Sequence, residues 1–459
     1  MAKAKRKNGK VYLGIDIGGT KILAALARPS GKIIARRRCA TPRNAPPEEV
    51  LQAVVKLVGE LLDSAKVRRK SLQGIGLAVP GIVDPHEGRV VITPNMNLSG
   101  FDIVPPMEQE FRVPVALGND VNLGTLGEQW LGNAALADSA VGIFVGTGIG
   151  GGIIIDGRLV TGHRGAAAEV GHLRMEKNGP RCGCGSLGCL EALASRTAIE
   201  RDIRQAVANG RQTVLTEFCQ GDLSVIRSSV LKRALLEGDA LVQEVMTAAA
   251  QTLGEACLQI RHLLDPEVIV LGGGVVEACK FYILPVVQKL LASDPFSSVR
   301  AGGKVVISSL GDDAVVLGAV ALAQQEIGRD PFTRSRRTLQ QYPVIAEISA
   351  ESITIGGRTY EEDVYIRVDG KVGRRAKARK HSVGSTHQID VDELRRVCRG
   401  KPSILIIGTG HCGTATLTEE AEQFLFRRGI TFETLSSAEA VKTYNAIKGR
   451  KAALIHLAC

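Results

Sequence analysis

The chain has 459 residues, of which 44% are hydrophobic and 4% aromatic, with a formal charge of +11. That length exceeds what one core fills, so two or three domains are expected, and no apolar run reaches the ~18 residues of a membrane helix. Lys3, Lys5, Arg6, Lys7 and Lys10, with Lys371, Arg374, Arg375, Lys377, Arg379 and Lys380, account for all the excess charge, so the body of the protein is no basic nucleic-acid surface, and so few aromatics build no stacking platform for single strands.

Residues 1–10 read as a basic, solubilising arm with no apolar leader, which leads us to expect a cytoplasmic protein. Val11–Ile17 reads as a buried strand, followed by Gly18-Gly19-Thr20-Lys21 and β-rich sequence to Ala27. Pro46-Pro47 open an amphipathic helix with Val50, Leu51, Val54, Val55, Val58, Leu61 and Leu62 on one face. Strands follow at Gly74–Val79, ending in Pro80-Gly81, and at Val113–Leu117, ending in Gly118-Asn119-Asp120. Val141–Val145 is a further strand, running into the glycine-rich stretch Gly146–Gly152. Residues 195–264 are mostly helical by periodicity, Val268–Leu271 is a buried strand leading into Gly272-Gly273-Gly274, and Ala314–Ala323 is a small-residue helix. Gly14–Thr20 and Gly142–Gly148 repeat one strand-then-glycine-turn device, which implies two lobes with a cleft between them.

Residues 329–342 read as a linker, and beyond it the pattern restarts as a small α/β domain over 343–459. Strands are expected at Ser352–Ile355 and Val364–Val368, with an Asp369-Gly370 hairpin turn. Then come a strand at Ile404–Ile407, a helix at Glu419–Arg428, a strand at Ile430–Leu435, a helix at Ala438–Ile447 and a strand at Ala452–Leu457. Gly408-x-Gly410-x-x-Gly413, with Glu433 downstream, satisfies the spacing of a dinucleotide fingerprint in a stretch too short to favour it over a turn. His411-Cys412 is read as an inert turn pair.

The chemistry concentrates between Glu169 and Glu191. His172, Cys182, Cys184 and Cys189 offer one imidazole and three thiols, the closed set of a structural zinc site, and Gly183, Gly185 and Gly188 let the loop double back between them. The other seven cysteines are scattered without pairing logic, as in a reducing compartment. Glu169 and Glu191 are not needed by the metal and are free for a substrate. Three glycine-rich turns after apolar strands, around Gly18, Gly146 and Gly272, suit phosphates through their backbone N–H groups. Asp16 is placed to hold magnesium through water, and Thr20 and Lys21 to meet phosphate oxygens. Asn119-Asp120 follows a strand end, where Asp120 serves equally as a helix cap or as the base of a phosphoryl transfer.

Gly14–Lys21, Pro80-Gly81, Asn119-Asp120, Gly146–Gly152, Glu169-x-x-His172, Cys182-x-Cys184-Gly185-x-x-Gly188-Cys189-x-Glu191 and Gly272–Gly274 occur in that order. Together, over about residues 10–328, they resemble the ROK family (repressors, open reading frames and sugar kinases). The resemblance implies an α/β, actin/hexokinase-like (ribonuclease H-like) two-lobed ATPase fold. Its N lobe would take about 11–125 plus a last helix at 312–328, and its C lobe about 126–311. It also implies ATP and Mg2+ as cofactors, structural Zn2+ on His172, Cys182, Cys184 and Cys189, and a sugar as the partner of a homo-oligomer, dimer or tetramer. Asp120 would be the base on the sugar 6-hydroxyl, and Asn95, Asn119, Glu169, His172 and Glu191 its hydroxyl ligands. Gly14, Asp16, Gly18, Gly19, Thr20 and Lys21, with Gly146, Thr147, Gly148, Gly150 and Gly151, would line the ATP phosphates, and Gly272, Gly273 and Gly274 the adenosine. The implied activity is hexose 6-phosphorylation, glucose to glucose 6-phosphate. The alternatives are an N-acetylglucosamine or N-acetylmannosamine kinase, polyphosphate as donor, or a non-catalytic sugar-sensing regulator, whose helix-turn-helix finds no room ahead of Val11. The family often has Gly where Ala168 stands and Trp near Phe101, and Asn95 is preferred to Asn97 because Pro94 precedes it. Residues 343–459 resemble, through Ile404–Gly410, Ala440–Asn445 and His456–Cys459, a small domain family of unknown biochemical role, with relatives among adipogenesis-associated and mitochondrial-assembly proteins.

Overall fold

The computed structural model describes residues 9–94, 96–135, 137–298, 303–332, 342–375, 387–399, 402–410, 413–447 and 450–457. The basic arm up to residue 8, Asn95, the pair His411-Cys412 and the cations Lys377, Arg379 and Lys380 lie outside them. The chain divides into two compact units, Met1–Pro331 and Phe332–Cys459. Among the described residues no helix is long and apolar enough to cross a membrane.

The first lobe of the larger unit contains β1 (Val11–Ile17), β2 (Lys21–Ala27), β3 (Ile33–Ala40), α1 (Pro47–Ser64) and β4 (Leu72–Val79). After these come β5 (Ile82–Asp84), β6 (Arg89–Ile92), β7 (Phe101–Asp102), α2 (Val104–Phe111), β8 (Val115–Asn119) and α3 (Asp120–Leu131). The second lobe adds β9 (Ala140–Val145), β10 (Ile149–Ile155), β11 (Arg158–Leu159), α4 (Leu190–Ala194), α5 (Arg196–Ala208), α6 (Leu215–Phe218) and α7 (Ser228–Leu236). It continues through α8 (Ala240–Leu264), β12 (Val268–Gly272), α9 (Gly274–Ala292) and β13 (Lys304–Ile307), after which α10 (Asp313–Glu326) returns to pack on the first lobe.

Each lobe is built on a five-stranded sheet, β3-β2-β1-β4-β8 in one and β11-β10-β9-β12-β13 in the other. In both, three antiparallel strands in succession are extended by two parallel ones. The repeated glycine-turn device is therefore the first hairpin of two sheets of identical strand order. β1, the central strand between antiparallel β2 and parallel β4, is buried on both faces except at Asp16. α1 starts on Pro47, carries Glu48 and Glu49 in its first turn, and buries Val50, Val54, Leu57, Val58, Leu61 and Leu62 on the first sheet. The hydrophobic pattern misses β3, whose Arg36-Arg37-Arg38 run hides an edge strand, and the small β5-β6-β7 sheet.

α10 lies against β1 and β4, and it crosses α3 where neither helix carries a side chain. A Cβ on Gly318 would stand 1.7 Å from the Leu123 carbonyl oxygen, and one on Gly127 2.1 Å from that of Ala314. Gly14 belongs to the same packing: it sits buried inside β1, where a Cβ would come within 2.0 Å of the Val316 carbonyl. Its missing side chain admits α10, which corrects its reading as a phosphate contact.

The smaller unit holds a five-stranded sheet in which the strands at 372–374, 364–366, 451–456, 404–409 and 431–435 lie side by side. The expected helix at Glu419–Arg428 forms as read, and helices at 391–397 and 419–428 cover one face while 437–446 covers the other. Gly370 turns the hairpin at a φ of 74°. After Gly410 the chain does not open a helix; it pairs Thr416-Leu417 with a strand and enters its helix only at Glu419. The dinucleotide fingerprint therefore lacks its strand–turn–helix context. Arg375 is not a surface cation. It is buried, with bonds to Glu393 (2.7 Å) and Asp363 (3.1 Å), and Asp363 also takes Nδ1 of the buried His456.

Candidate active site

Asp120 is the first residue of α3, and its neighbour carries the cap. Asn119 Oδ1 accepts the N–H groups of Val121 (2.9 Å) and Asn122 (3.0 Å), and Asp120 Oδ1 shares the Val121 N–H at 2.9 Å. Asn119 Nδ2 donates to the Gly81 carbonyl at 2.9 Å, which ties the Pro80-Gly81 turn to the site and leaves one amide N–H for a ligand. β8 begins and ends two residues later than the sequence pattern suggests, which puts Asn119 at the strand's carboxyl end. Burial pushes the Asp120 carboxyl up to about 6, with the charge of Glu169 adding to the shift and the Val121 N–H opposing it.

Asp16 stands near the carboxyl end of β1. Burial raises it to about 7, and the charge of Asp120 adds to that. A carboxylate raised by burial and by the charge of a second one fits a hard divalent cation, and Asp16 would hold it. The charge of Lys21 opposes the shift of Asp16 in part, while its Nζ pairs with Asp312 at 3.2 Å. The turn after β1 closes with Gly18 N–H donating to the Lys21 carbonyl at 3.0 Å, leaving Gly19 and the exposed Thr20 at its tip.

The matching turn of the second lobe is shorter than its glycine run. Only Gly146–Gly148 form the turn, closed by Gly146 N–H to the Gly148 carbonyl at 2.9 Å. Gly150 and Gly151 are strand residues of β10. A Cβ on Gly150 would meet Val121 of α3 at 2.5 Å, and one on Gly151 the Ala168 carbonyl at 2.4 Å. Their glycine character serves packing, which corrects their reading as part of a phosphate nest. Gly273, at a φ of 86°, caps α9, with its Cβ position 2.4 Å from the Val145 carbonyl. Gly272 packs on Phe144, and Gly274 opens the helix.

Glu191 joins this turn to the cysteine cluster. Its Oε2 accepts the Ile149 N–H at 2.9 Å, and its Oε1 lies 3.7 Å from the Cys182 thiol, which donates to it. His172 Nδ1 is 3.6 Å from Cys182 Sγ, and Cys184 and Cys189 Sγ are 3.8 Å apart. All four ligand atoms lie within 4.8 Å of one another. A tetrahedron with metal–sulfur bonds of about 2.3 Å has edges of roughly 3.8 Å, so the donor set fits zinc. The Ser186 N–H pulls the Cys184 thiol down to about 7, which favours a thiolate there. Nδ1 is the cluster-side nitrogen of His172, and Nε2 is left for another partner. Glu169 precedes the helical turn Val170–His172 and takes the His172 N–H on its carbonyl at 3.0 Å, with its side chain exposed. Ala168, just before it, is left-handed at a φ of 68°, the conformation that glycine adopts freely.

Two groups escaped the motifs. Glu128, fully buried on α3, accepts Ser308 Oγ–H (2.7 Å) and the N–H groups of Ser309 and Leu310 (both 2.9 Å) and Asn133 (2.8 Å), fastening the loop that carries Asp312. Its signal was a charged residue amid the glycines and apolar side chains of a buried helix. Arg196 Nη2 donates to Thr147 Oγ1 at 2.7 Å, and nothing in its sequence context singled it out.

Residues 12–326 match the ROK family. The chain belongs to that family. The fold is accordingly the actin/hexokinase-like one, with a separate C-terminal domain whose residues 345–457 match a protein family of unknown function (DUF498/DUF598). A glucokinase of Thermotoga maritima is 31% identical over 317 residues, 69% of this chain and 98% of its own length. The crystal structure of a ROK family glucokinase from Streptomyces griseus, in complex with glucose and AMPPNP, is 30% identical with a TM-score of 0.61, over 69% of this chain and 99% of that one. The N-acetylglucosamine repressor of Escherichia coli O157:H7 is 28% identical, over 68% of this chain and 75% of the repressor.

Proposed function

We propose that the larger unit is an ATP- and magnesium-dependent hexose kinase that phosphorylates the 6-hydroxyl, with glucose as its first substrate. The observation that carries this reading is Asp120: a half-buried carboxylate at a strand's carboxyl end, beside the cap that Asn119 supplies and raised to about 6. A carboxylate in that state is ionised at neutral pH yet basic enough to take a hydroxyl proton as phosphoryl transfer proceeds. Asn119, Glu169, His172 Nε2 and Glu191 surround it as hydroxyl ligands, with Asn95, outside the described residues, as a further one. Zinc on His172, Cys182, Cys184 and Cys189 would brace the sugar side and orient His172. Asp16 would hold the magnesium that neutralises phosphate charge, and the Gly18–Thr20 and Gly146–Gly148 turns would receive the phosphates.

The glucokinase relatives support glucose over the N-acetylhexosamines. The repressor relative keeps a sugar-sensing reading in play, and intact Asp120, Glu169 and Glu191 favour catalysis over it. Purified protein assayed with ATP against glucose, mannose, N-acetylglucosamine and N-acetylmannosamine is expected to form glucose 6-phosphate fastest. No sugar phosphate from any of the four ends the kinase reading.

A further inference from the structure

The Gly146–Gly148 turn carries a cation. Arg196 is pinned against it three ways: Nη2 donates to Thr147 Oγ1 at 2.7 Å, its backbone N–H to the Gly146 carbonyl at 3.0 Å, and the adjoining Thr197 Oγ1 to the Thr147 carbonyl at 2.8 Å. A guanidinium has five N–H donors, and the Thr147 bond uses one. Nε is buried with no hydrogen-bond partner among the described residues. Its ion-pair partner Glu200 stands 3.5 Å away and spends the same oxygen on the Ile226 N–H at 3.0 Å. The side chain is 30% exposed, so beyond the buried Nε the guanidinium presents donors to a ligand.

The rest of the cleft sharpens the point. Asp16, Asp120, Glu169 and Asp312 bring negative charge to it, and Lys21 is engaged by Asp312. A phosphate chain entering there meets carboxylates on one side, and the turn of the second lobe supplies the cation on the other. Arginine suits that task, since its planar fork pairs with two phosphate oxygens at once.

We propose that Arg196 is a phosphate-binding residue, holding the phosphate chain of the nucleotide donor against the Gly146–Gly148 turn. This rests on the kinase reading for its ligand, and the test below reads binding without turnover. The full chain is titrated with AMPPNP and, separately, with adenosine, by calorimetry. Arg196→Ala is expected to weaken AMPPNP roughly 10- to 50-fold while adenosine binding stays within twofold, with Arg196→Lys recovering only part, as a point charge in place of a fork does. Arg196→Gln, which keeps a polar side chain and removes the charge, serves should the alanine variant fold poorly. AMPPNP affinity unchanged in folded Arg196→Ala or Arg196→Gln, or an equal loss for adenosine, would each make Arg196 a strut and overturn the proposal. Wild-type protein that binds AMPPNP but phosphorylates no hexose would sink the kinase reading alone; wild type that binds no AMPPNP sinks both.

Discussion

The two lobes share a strand order and a hairpin device, yet arm them differently. In the first lobe the hairpin's incoming strand delivers a carboxylate, Asp16, and its turn spans Gly18–Thr20 ahead of Lys21. In the second lobe the turn is the bare Gly146–Gly148, and its cation arrives from outside, on α5. The incoming strand β9 also brings no carboxylate to that turn; Glu191 reaches it from α4 instead. A duplicated scaffold thus fixes where two turns face each other, while the chemistry of each is set by whichever helix packs on it. On the proposed function, the asymmetry would assign acid–base work and magnesium binding to the first lobe, and phosphate charge and a zinc-braced sugar loop to the second.

Removing the first lobe's base should break this division most sharply. Asp120→Asn is expected to lower kcat by roughly 10³-fold while sugar affinity stays within a few-fold, read by steady-state kinetics and sugar titration. Retained turnover would strip Asp120 of its role. Disarming the second lobe should act on binding instead. Cys184→Ser, or extraction of the metal, is expected to raise the sugar KM by tens of fold with release of one zinc per chain, measured by metal analysis alongside kinetics; a zinc-free preparation with unchanged KM would refute the brace.

Glu128→Gln tests the strap between lobes. The amide turns an N–H toward donors that now meet a carboxylate, so a loss of about 2–3 kcal/mol in urea unfolding is expected. Proton titration gives a finer test. With Asp120 at about 6, kcat should fall tenfold per pH unit below that value and level off above it, whereas an ordinary carboxylate would hold its rate to about pH 4. Stability moves the opposite way. Raised Asp16 and Asp120 make the native state bind more protons than the unfolded chain between pH ~4 and ~7, so the ligand-free protein should grow more stable as pH falls through that window, as thermal melts would show. The smallest effect expected is Ala168→Gly, a gain of about 1 kcal/mol from relieving a left-handed alanine, checked by chemical denaturation.

Much of this was legible before any coordinates. Apolar runs bounded by glycine reveal central strands, because such strands are buried on both faces, and the cysteine spacing marks its own ligand set. Edge strands escaped for the complementary reason: the arginines of β3 face solvent and leave no apolar alternation. Glycines misled where one residue type serves two ends. Gly14, Gly150 and Gly151 look like phosphate-loop residues in sequence, yet each makes room for a helix or a carbonyl. Arg196 was invisible because its partner lies 49 residues away in the chain, and the charge of Glu128 stood out without its role, which depends on Ser308 180 residues away.

The glycine crossing of α3 and α10 reaches beyond packing. α3 begins with Asp120, and α10 begins just after Asp312, the partner of Lys21. With backbone resting on backbone, the two helices meet like the blades of a pair of scissors at their rivet. A single methyl group inserted at Gly318 would splay the blades, carrying the proton acceptor and the lysine's anchor apart together.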